Sequence, residues 1–167
     1  MDYTIRKPNH LQEYDYATPG AYFITICTKD RKKILSAIQP VGADVLDRPR
    51  VALLPHGEIV ERYIQQLDAF YPHIHVETYV IMPNHVHLLL RVSREGRPRT
   101  SAPTSAHSPI AQFVSTLKRF CNKEYGENIF QRSYYDHIIR GEQDYGDVWQ
   151  YIDQNPVRWP EDTFYTP

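Results

Sequence analysis

Apolar and polar positions change period several times along this chain, and each change marks an element. Ala21-Tyr22-Phe23-Ile24-Thr25-Ile26-Cys27-Thr28 is rich in β-branched and aromatic residues and predicts a strand. After Gly57, the residues Ile59, Val60, Tyr63, Ile64, Leu67 and Phe70 recur at helical spacing, until Tyr71-Pro72 ends the helix. Residues 75–82 and 85–92 are two further strands, and Pro83-Asn84 between them makes a tight turn suited to antiparallel pairing. Ser108-Pro109 matches a helix start, with Ser as N-cap and Pro in the first turn, and Ile110, Phe113, Val114, Leu117, Phe120 and Cys121 form the apolar stripe that follows. Residues 129–140 read as another strand, and residues 142–155 as a last helix stopped by Pro156. The order β–α–β–β–α–β–α predicts an α+β fold. Its first six elements suit a ferredoxin-like split βαβ layout, a mostly antiparallel sheet with helices on one face, and a C-terminal helix follows.

The stretches without a period divide the rest. Residues 1–20 are polar and rich in Tyr and Pro, and are expected to form an N-terminal arm lying over the surface. Residues 36–56, with Pro40, Gly42, Pro49 and Pro55, read as a long loop with room for one short strand at Val51-Ala52-Leu53-Leu54. Residues 93–109 are rich in Ser, Pro, Arg and Gly and read as a flexible connection. With no internal repeat, residues 1–167 are expected to form one domain.

Composition narrows the class. Apolar residues at 41% and charged residues at 23% are ordinary for a soluble globular protein. No apolar run is long enough to cross a bilayer, and Met1-Asp2-Tyr3-Thr4-Ile5-Arg6-Lys7 lacks the hydrophobic stretch of a secretion signal, so a cytoplasmic protein with no membrane partner is expected. Cys27 falls in a strand and Cys121 in a helix, which favours buried free thiols over a disulfide. The net charge of −1 speaks against a uniformly basic nucleic-acid binder, but the charge is uneven. Residues 91–140 hold nine Lys or Arg against four Asp or Glu, whereas residues 141–167 hold one Arg against six acids. A local basic face is what nucleic acid needs. On charge alone, a well-mixed soluble surface accounts for the pattern equally well.

The chemistry concentrates in His85-Val86-His87. A strand alternates its side chains, so both imidazoles point to one face and can grip one divalent cation. Taken alone, the pair is equally well read as hydrogen-bonded core histidines. Tyr151 and Asn155 stand i, i+4 on the last helix and so share a face. A tyrosine hydroxyl can attack phosphorus, and an asparagine carbonyl oxygen can ligate a metal. Core packing beside Trp149 and Ile152 is the competing reading of Tyr151, and with thirteen tyrosines composition selects none.

Four ordered segments carry a family resemblance. Met82-Pro83-Asn84-His85-Val86-His87-Leu88-Leu89 resembles the His-hydrophobe-His motif of the single-tyrosine transposases that mobilise insertion sequences through single-stranded DNA. Residues 21–28 resemble that family's first strand. Phe130-Gln131-Arg132-Ser133-Tyr134-Tyr135-Asp136-His137-Ile138-Ile139-Arg140 and Tyr151-Ile152-Asp153-Gln154-Asn155-Pro156-Val157 resemble its C-terminal half. These last two are especially similar to the REP-associated tyrosine transposases, a domesticated branch that acts on repetitive extragenic palindromes. The resemblance runs from residue 14 to residue 160, with nothing contributed by residues 36–52 and 93–107.

The resemblance implies a metal-dependent single-strand DNA endonuclease and strand transferase that works near DNA hairpins through a 5′-phosphotyrosine. It makes His85 and His87 metal ligands, Tyr151 the nucleophile and Asn155 the third ligand, with Mg²⁺ or Mn²⁺ as the ion. Tyr134 and Tyr135 are rival tyrosines that fall in the strand motif, and His137 matches a recurrent position there, for site support or a base contact. The expected partner is single-stranded or hairpin DNA, repetitive extragenic palindromes included. Arg97, Arg99, Lys118, Arg119 and Lys123 could track its phosphates, with Arg132, Tyr135 and His137 as further DNA contacts. Tyr22, Phe113, Phe120 and Tyr135 offer stacking surfaces, core packing being the stronger reading of Phe113 and Phe120. Insertion-sequence relatives act as dimers that exchange the tyrosine helix and the REP-associated branch can act as monomers, so monomer and homodimer both stay open. Three other readings compete. A non-catalytic DNA-hairpin-binding protein would retain the fold. A histidine-triad nucleotide hydrolase needs a further histidine where Leu89 stands, and a structural zinc site lacks a Cys nearby in sequence.

Overall fold

The computed structural model describes residues 14–16, 18–40, 48–94 and 108–167. Most of the expected arm (residues 1–20) and of the expected connection (residues 93–109) therefore lies outside the described residues.

The elements are β1 (Gly20–Cys27), β2 (Ser36–Gln39), β3 (Arg50–Leu53), α1 (Pro55–Phe70), β4 (Ile74–Ile81), β5 (His85–Val92), α2 (Pro109–Tyr125), β6 (Tyr135–Ile138) and α3 (Glu142–Gln154). Four strands form one sheet in the order β4-β5-β1-β6, with every pair antiparallel. This is the expected split βαβ arrangement: α1 and α2 are the crossovers, and Pro83-Asn84 closes the β4–β5 hairpin. The helix starts follow local chemistry. Pro55 and Pro109 stand in first turns, where a missing N–H costs nothing, and the Ser108 hydroxyl accepts the Ala111 N–H at 3.1 Å. Gly126 ends α2 in the left-handed conformation, φ 78°.

β5 is buried on both faces. Val86, Leu88, Leu90 and Val92 join Tyr22, Ile24 and Ile26 of β1 in the main core under α1 and α2, with Val60, Ile64, Phe113 and Leu117. The alternate residues face the other way. There Leu89 and Ala21 meet Val148 and Ile152 of α3, which therefore covers the opposite face of the sheet. Tyr22 is fully buried in the main core, which withdraws it from the candidate stacking surfaces, and Phe113 is equally buried. Cys27 and Cys121 are buried free thiols, as expected. Among the described residues no helix is long and apolar enough to cross a membrane.

Two segments depart from expectation. Within residues 36–56, β2 and β3 pair as a separate two-stranded sheet, tied to the main sheet by Ser36 Oγ donating to the Ile81 carbonyl at 2.8 Å. Each strand is only four residues long, too short to show a period among the flanking prolines. Residues 129–140 are not one strand. Phe130 makes a single bridge to Thr28, and pairing resumes only at β6. The Lys118 ammonium donates to the carbonyls of Gln131, Arg132 and Ser133 at 2.8, 3.2 and 2.9 Å, which bends this stretch away from a ladder.

Gly57 shows how tightly the small sheet is docked. A Cβ there would lie 2.0 Å from the Leu35 carbonyl oxygen, a backbone atom that cannot rotate away. Gly57→Ala is expected to cost about 1–3 kcal/mol through overpacking, read as a lower urea midpoint at unchanged slope. A wild-type midpoint would show that the first turn of α1 moves freely.

Candidate active site

The β1–β5 register sets Thr25 opposite His87 and Cys27 opposite His85. His87 Nδ1 and Thr25 Oγ1 are 2.8 Å apart. With Nδ1 donating to that hydroxyl oxygen, Nε2 keeps its lone pair. His85 Nδ1 lies 2.8 Å from Asn84 Oδ1, while the same amide's Nδ2 donates to the Phe164 carbonyl at 2.9 Å. The second bond fixes the Asn84 amide, so His85 Nδ1–H must donate and Nε2 is again the bare nitrogen. Both Nε2 atoms are buried without a hydrogen-bond partner, as is Asn155 Oδ1. Leaving a buried polar atom unsatisfied costs roughly 1–3 kcal/mol each. Three such atoms in one place form a donor set that fits a cation.

α3 supplies the rest. Val148 and Ile152 anchor it on the sheet, and the Tyr145 hydroxyl donates to Glu77 Oε2 at 2.6 Å. Tyr151 then lies with its ring centroid 5.3 Å from that of His87 and 5.8 Å from that of Phe23. His85, His87, Tyr151 and Asn155 thus come together within one chain.

A residue that sequence reasoning missed completes the group. Asp162 follows the short 3₁₀ turn Trp159–Glu161, and its side chain is only 1% exposed. Its Oδ2 accepts from Asn155 Nδ2 at 2.7 Å and from the Tyr151 hydroxyl at 3.4 Å, and lies 3.9 Å from His85 Nε2. Ligand atoms of His85, His87 and Asp162 all lie within 4.8 Å of one another, a possible metal site. Two nitrogens and a carboxylate or amide oxygen suit a divalent ion. Phe164 covers the group, with ring centroids 4.9 Å from His85 and 5.9 Å from His87. Cys27 faces His85 across the ladder, but its sulfur stays outside this donor set, and burial pushes its thiol up to about 11, in the protonated form.

Burial dominates the electrostatics. It holds His85 down to about 4 against the opposing pull of Asp162, and His87 well below its ordinary value, with His85 adding to the effect. Both imidazoles are therefore neutral, the form that ligates a metal. Burial, with help from the Asp162 charge, also pushes the Tyr151 hydroxyl up to about 12.

The other expected residues are spread out. Arg97 and Arg99 lie outside the described residues. Arg119 and Lys123 are exposed on α2, across the sheet from the histidines, and Lys118 spends its ammonium on three carbonyls. Arg132 is exposed on the loop that Lys118 holds. Tyr135 is 40% exposed, with its ring 5.8 Å from Phe164 on the rim of the group. His137 lies within 3.0 Å of both Asp144 oxygens, tying β6 to the first turn of α3.

No family model matches the chain. A curated relative, an uncharacterised protein of Haemophilus influenzae, is 27% identical over 96% of this chain and 93% of its own length. A second protein of that organism, provisionally named a REP-associated tyrosine transposase, is 27% identical over 90% of this chain and 83% of its own length. The solved structure of a REP-associated tyrosine transposase bound to a REP hairpin superposes with a TM-score of 0.60 at 18% identity, covering 89% of this chain and 74% of that one. The chain is similar to REP-associated tyrosine transposases in sequence and has their fold, as the four segments implied.

The depressed histidines give stability a direction with pH. Below the ordinary value of 6.5 the unfolded chain takes up protons that folded His85 refuses down to about 4. The stability is fully present above pH 6.5 and is lost progressively as pH falls towards 4. His85→Gln is expected to flatten that loss when urea unfolding is compared at pH 7 and pH 4.5. Parallel losses in the two proteins would remove His85 as its source.

Proposed function

We propose that this protein is a metal-dependent, single-tyrosine nicking and joining enzyme for single-stranded DNA beside a hairpin. The observation that carries the reading is the convergence of two bare imidazole nitrogens and the oxygens of Asn155 and Asp162 beside the Tyr151 hydroxyl. The likeness to a transposase solved on a REP hairpin supports hairpin DNA as the partner. A DNA substrate supports the cytoplasm as the site of the activity.

In this reading Tyr151 Oη attacks the scissile phosphorus, the P–O3′ bond breaks, and the strand is left with a 5′-phosphotyrosine and a free 3′-hydroxyl. The phosphoester bond is conserved, so a second hydroxyl can attack it and rejoin the DNA without ATP. A divalent cation, Mg²⁺ or Mn²⁺, held by His85, His87 and an oxygen of Asn155 or Asp162, would supply Lewis-acid polarisation of the phosphate. The chain's own residues do the positioning. Asn84 fixes the His85 tautomer and Thr25 holds the His87 ring, Asp162 accepts the Tyr151 hydroxyl and orients it, and Asn155 holds Asp162 in place.

Tyr151→Phe is expected to abolish the covalent protein–DNA adduct, seen on a denaturing gel with Mn²⁺ and an end-labelled hairpin oligonucleotide, while hairpin binding persists. His85→Ala and His87→Ala are expected to lose cleavage by at least about a hundredfold. Undiminished adduct from the Tyr151→Phe protein, or equal cleavage in EDTA, sinks the assignment.

One observation favours a second reading, a hairpin-binding protein without turnover. His85 and His87 are both 0% exposed, under Phe164 and its neighbours, so DNA reaches them only if that segment moves. Phe164→Ala is expected to raise the adduct yield. Hairpin binding with no adduct from either wild type or Phe164→Ala would decide for the second reading.

A further inference from the structure

A cavity of about 440 Å³ lies between the second half of α2 and the segment 128–132, away from the histidines. Six of its seven lining residues carry polar or basic side chains. Lys29 and Arg132 are exposed at its mouth, and neither makes an ion pair among the described residues. Asn122 is fixed on one side, its Oδ1 accepting the Ile129 N–H at 3.0 Å and its Nδ2 donating to Asn128 Oδ1 at 3.1 Å. That leaves the Asn128 amide hydrogens for another acceptor. Phe130 contributes an aromatic surface, and Lys118 stiffens the wall by holding three successive carbonyls, Arg132's among them.

The turn after β1 joins this cavity to the candidate active site. Lys29-Asp30-Arg31-Lys32-Lys33 carries four cations and one acid. Asp30 and Arg31 are both non-glycine residues in the left-handed region, φ 56° and 54°. Two such residues in succession are uncommon, and each costs about 1 kcal/mol or more. The turn is held in place by the Lys29 N–H donating to the Ile129 carbonyl at 2.8 Å and by Thr28 Oγ1 donating to the Lys32 carbonyl at 2.8 Å. The result is a fixed geometry. Lys29 lines the cavity on one side, while the Arg31 guanidinium sits 4.6 Å over the Phe164 ring, on the cover of the histidines, on the other. Thr28 also links the two sites through hydrogen bonds. Thr28 Oγ1 also lies 3.0 Å from the Asn84 carbonyl, and Asn84 orients His85.

From this juxtaposition we infer that the cavity is a subsite for one unpaired nucleotide of the strand being processed. Lys29 and Arg132 take its phosphate, and the base enters between Phe130 and the Asn122–Asn128 amides. The cationic turn carries the phosphates between this nucleotide and the scissile one. The inference rests on the reading of the protein as a nicking enzyme for single-stranded DNA. It adds a defined place on this chain for one nucleotide of that strand, formed by Lys29, Asn128, Phe130 and Arg132.

The test uses the full chain with two fluorescein-labelled DNAs, a hairpin with a single-stranded flank and the same hairpin cut flush. Anisotropy titrations are run at several salt concentrations. Lys29→Ala and Arg132→Ala, both surface changes, are expected to weaken the flanked hairpin about tenfold each and to lower its salt slope by about one. Binding of the flush hairpin should not change. In a second measurement 2-aminopurine replaces each flank base in turn. One position should change its emission on binding to wild type and lose that change in the Arg132→Ala protein. Equal weakening of both hairpins, or no weakening of either, overturns the subsite while leaving the nicking reading intact if wild type still forms the adduct. Wild type that binds neither hairpin overturns both. Free deoxynucleoside monophosphates binding as tightly as the flanked hairpin would assign the cavity to a small molecule and overturn its role in holding a strand.

Discussion

The two-residue period of β5 is the constraint on which the rest depends. This strand has a neighbour on each side and a helical layer on each face, so none of its positions is neutral. Val86, Leu88, Leu90 and Val92 feed the core beneath α1 and α2, while His85, His87 and Leu89 face α3. A slip of one residue would put two imidazoles into the main core and four aliphatic side chains against the Tyr151 helix. The cost of that exchange fixes the register to β1, and the register in turn places Thr25 against His87. The hydrophobic core and the position of a candidate metal ligand's hydrogen-bond partner are thus set by the same ladder.

Burial does two opposite things at the site. It keeps both imidazoles neutral, which suits them to ligate a cation, and it keeps the Tyr151 hydroxyl protonated, which makes it a poor nucleophile. The nearby Asp162 carboxylate makes the second effect worse. Positive charge placed among His85, His87 and Asp162 acts on both sides of this conflict: it satisfies the bare nitrogens and offsets the negative field at the tyrosine. The bare nitrogens and the raised hydroxyl are thus two consequences of one burial, and a cation held there would offset both.

Much of this was legible in the sequence, because it rests on short-range periodicity. The β4–β5 hairpin, the Ser108-Pro109 helix start and the shared face of His85 and His87 follow from spacing alone. So does the pairing of Tyr151 with Asn155. What could not be read depends on contacts between distant segments. Asp162 lies beyond the last helix in a stretch with no period, and its burial is made by Asn155, Tyr151 and the backbone of Phe164. Asn84 reads as a turn residue, yet its amide spans from His85 to the Phe164 carbonyl. Lys118 stands in a basic stretch and reads as a phosphate contact, but its ammonium is taken by carbonyls 13 to 15 residues away. In each case the side chain's type was a fair guide to its chemistry and a poor guide to its partner.

The last helix shows why the competing readings of Tyr151 were never exclusive. Val148, Tyr151, Ile152 and Asn155 are spaced by three or four residues and form one stripe. Val148 and Ile152 are its buried apolar members, while Tyr151 and Asn155 turn the same stripe towards His87 and Asp162. A helix seated on a sheet in this way has little freedom to rotate, since rotation exposes Val148 and Ile152 as soon as it moves the tyrosine. Packing and chemistry are therefore coupled through one rigid element. The hydroxyl's distance from the candidate metal ligands is set by aliphatic contacts with Leu89 and Ala21, which have no part in the proposed chemistry themselves.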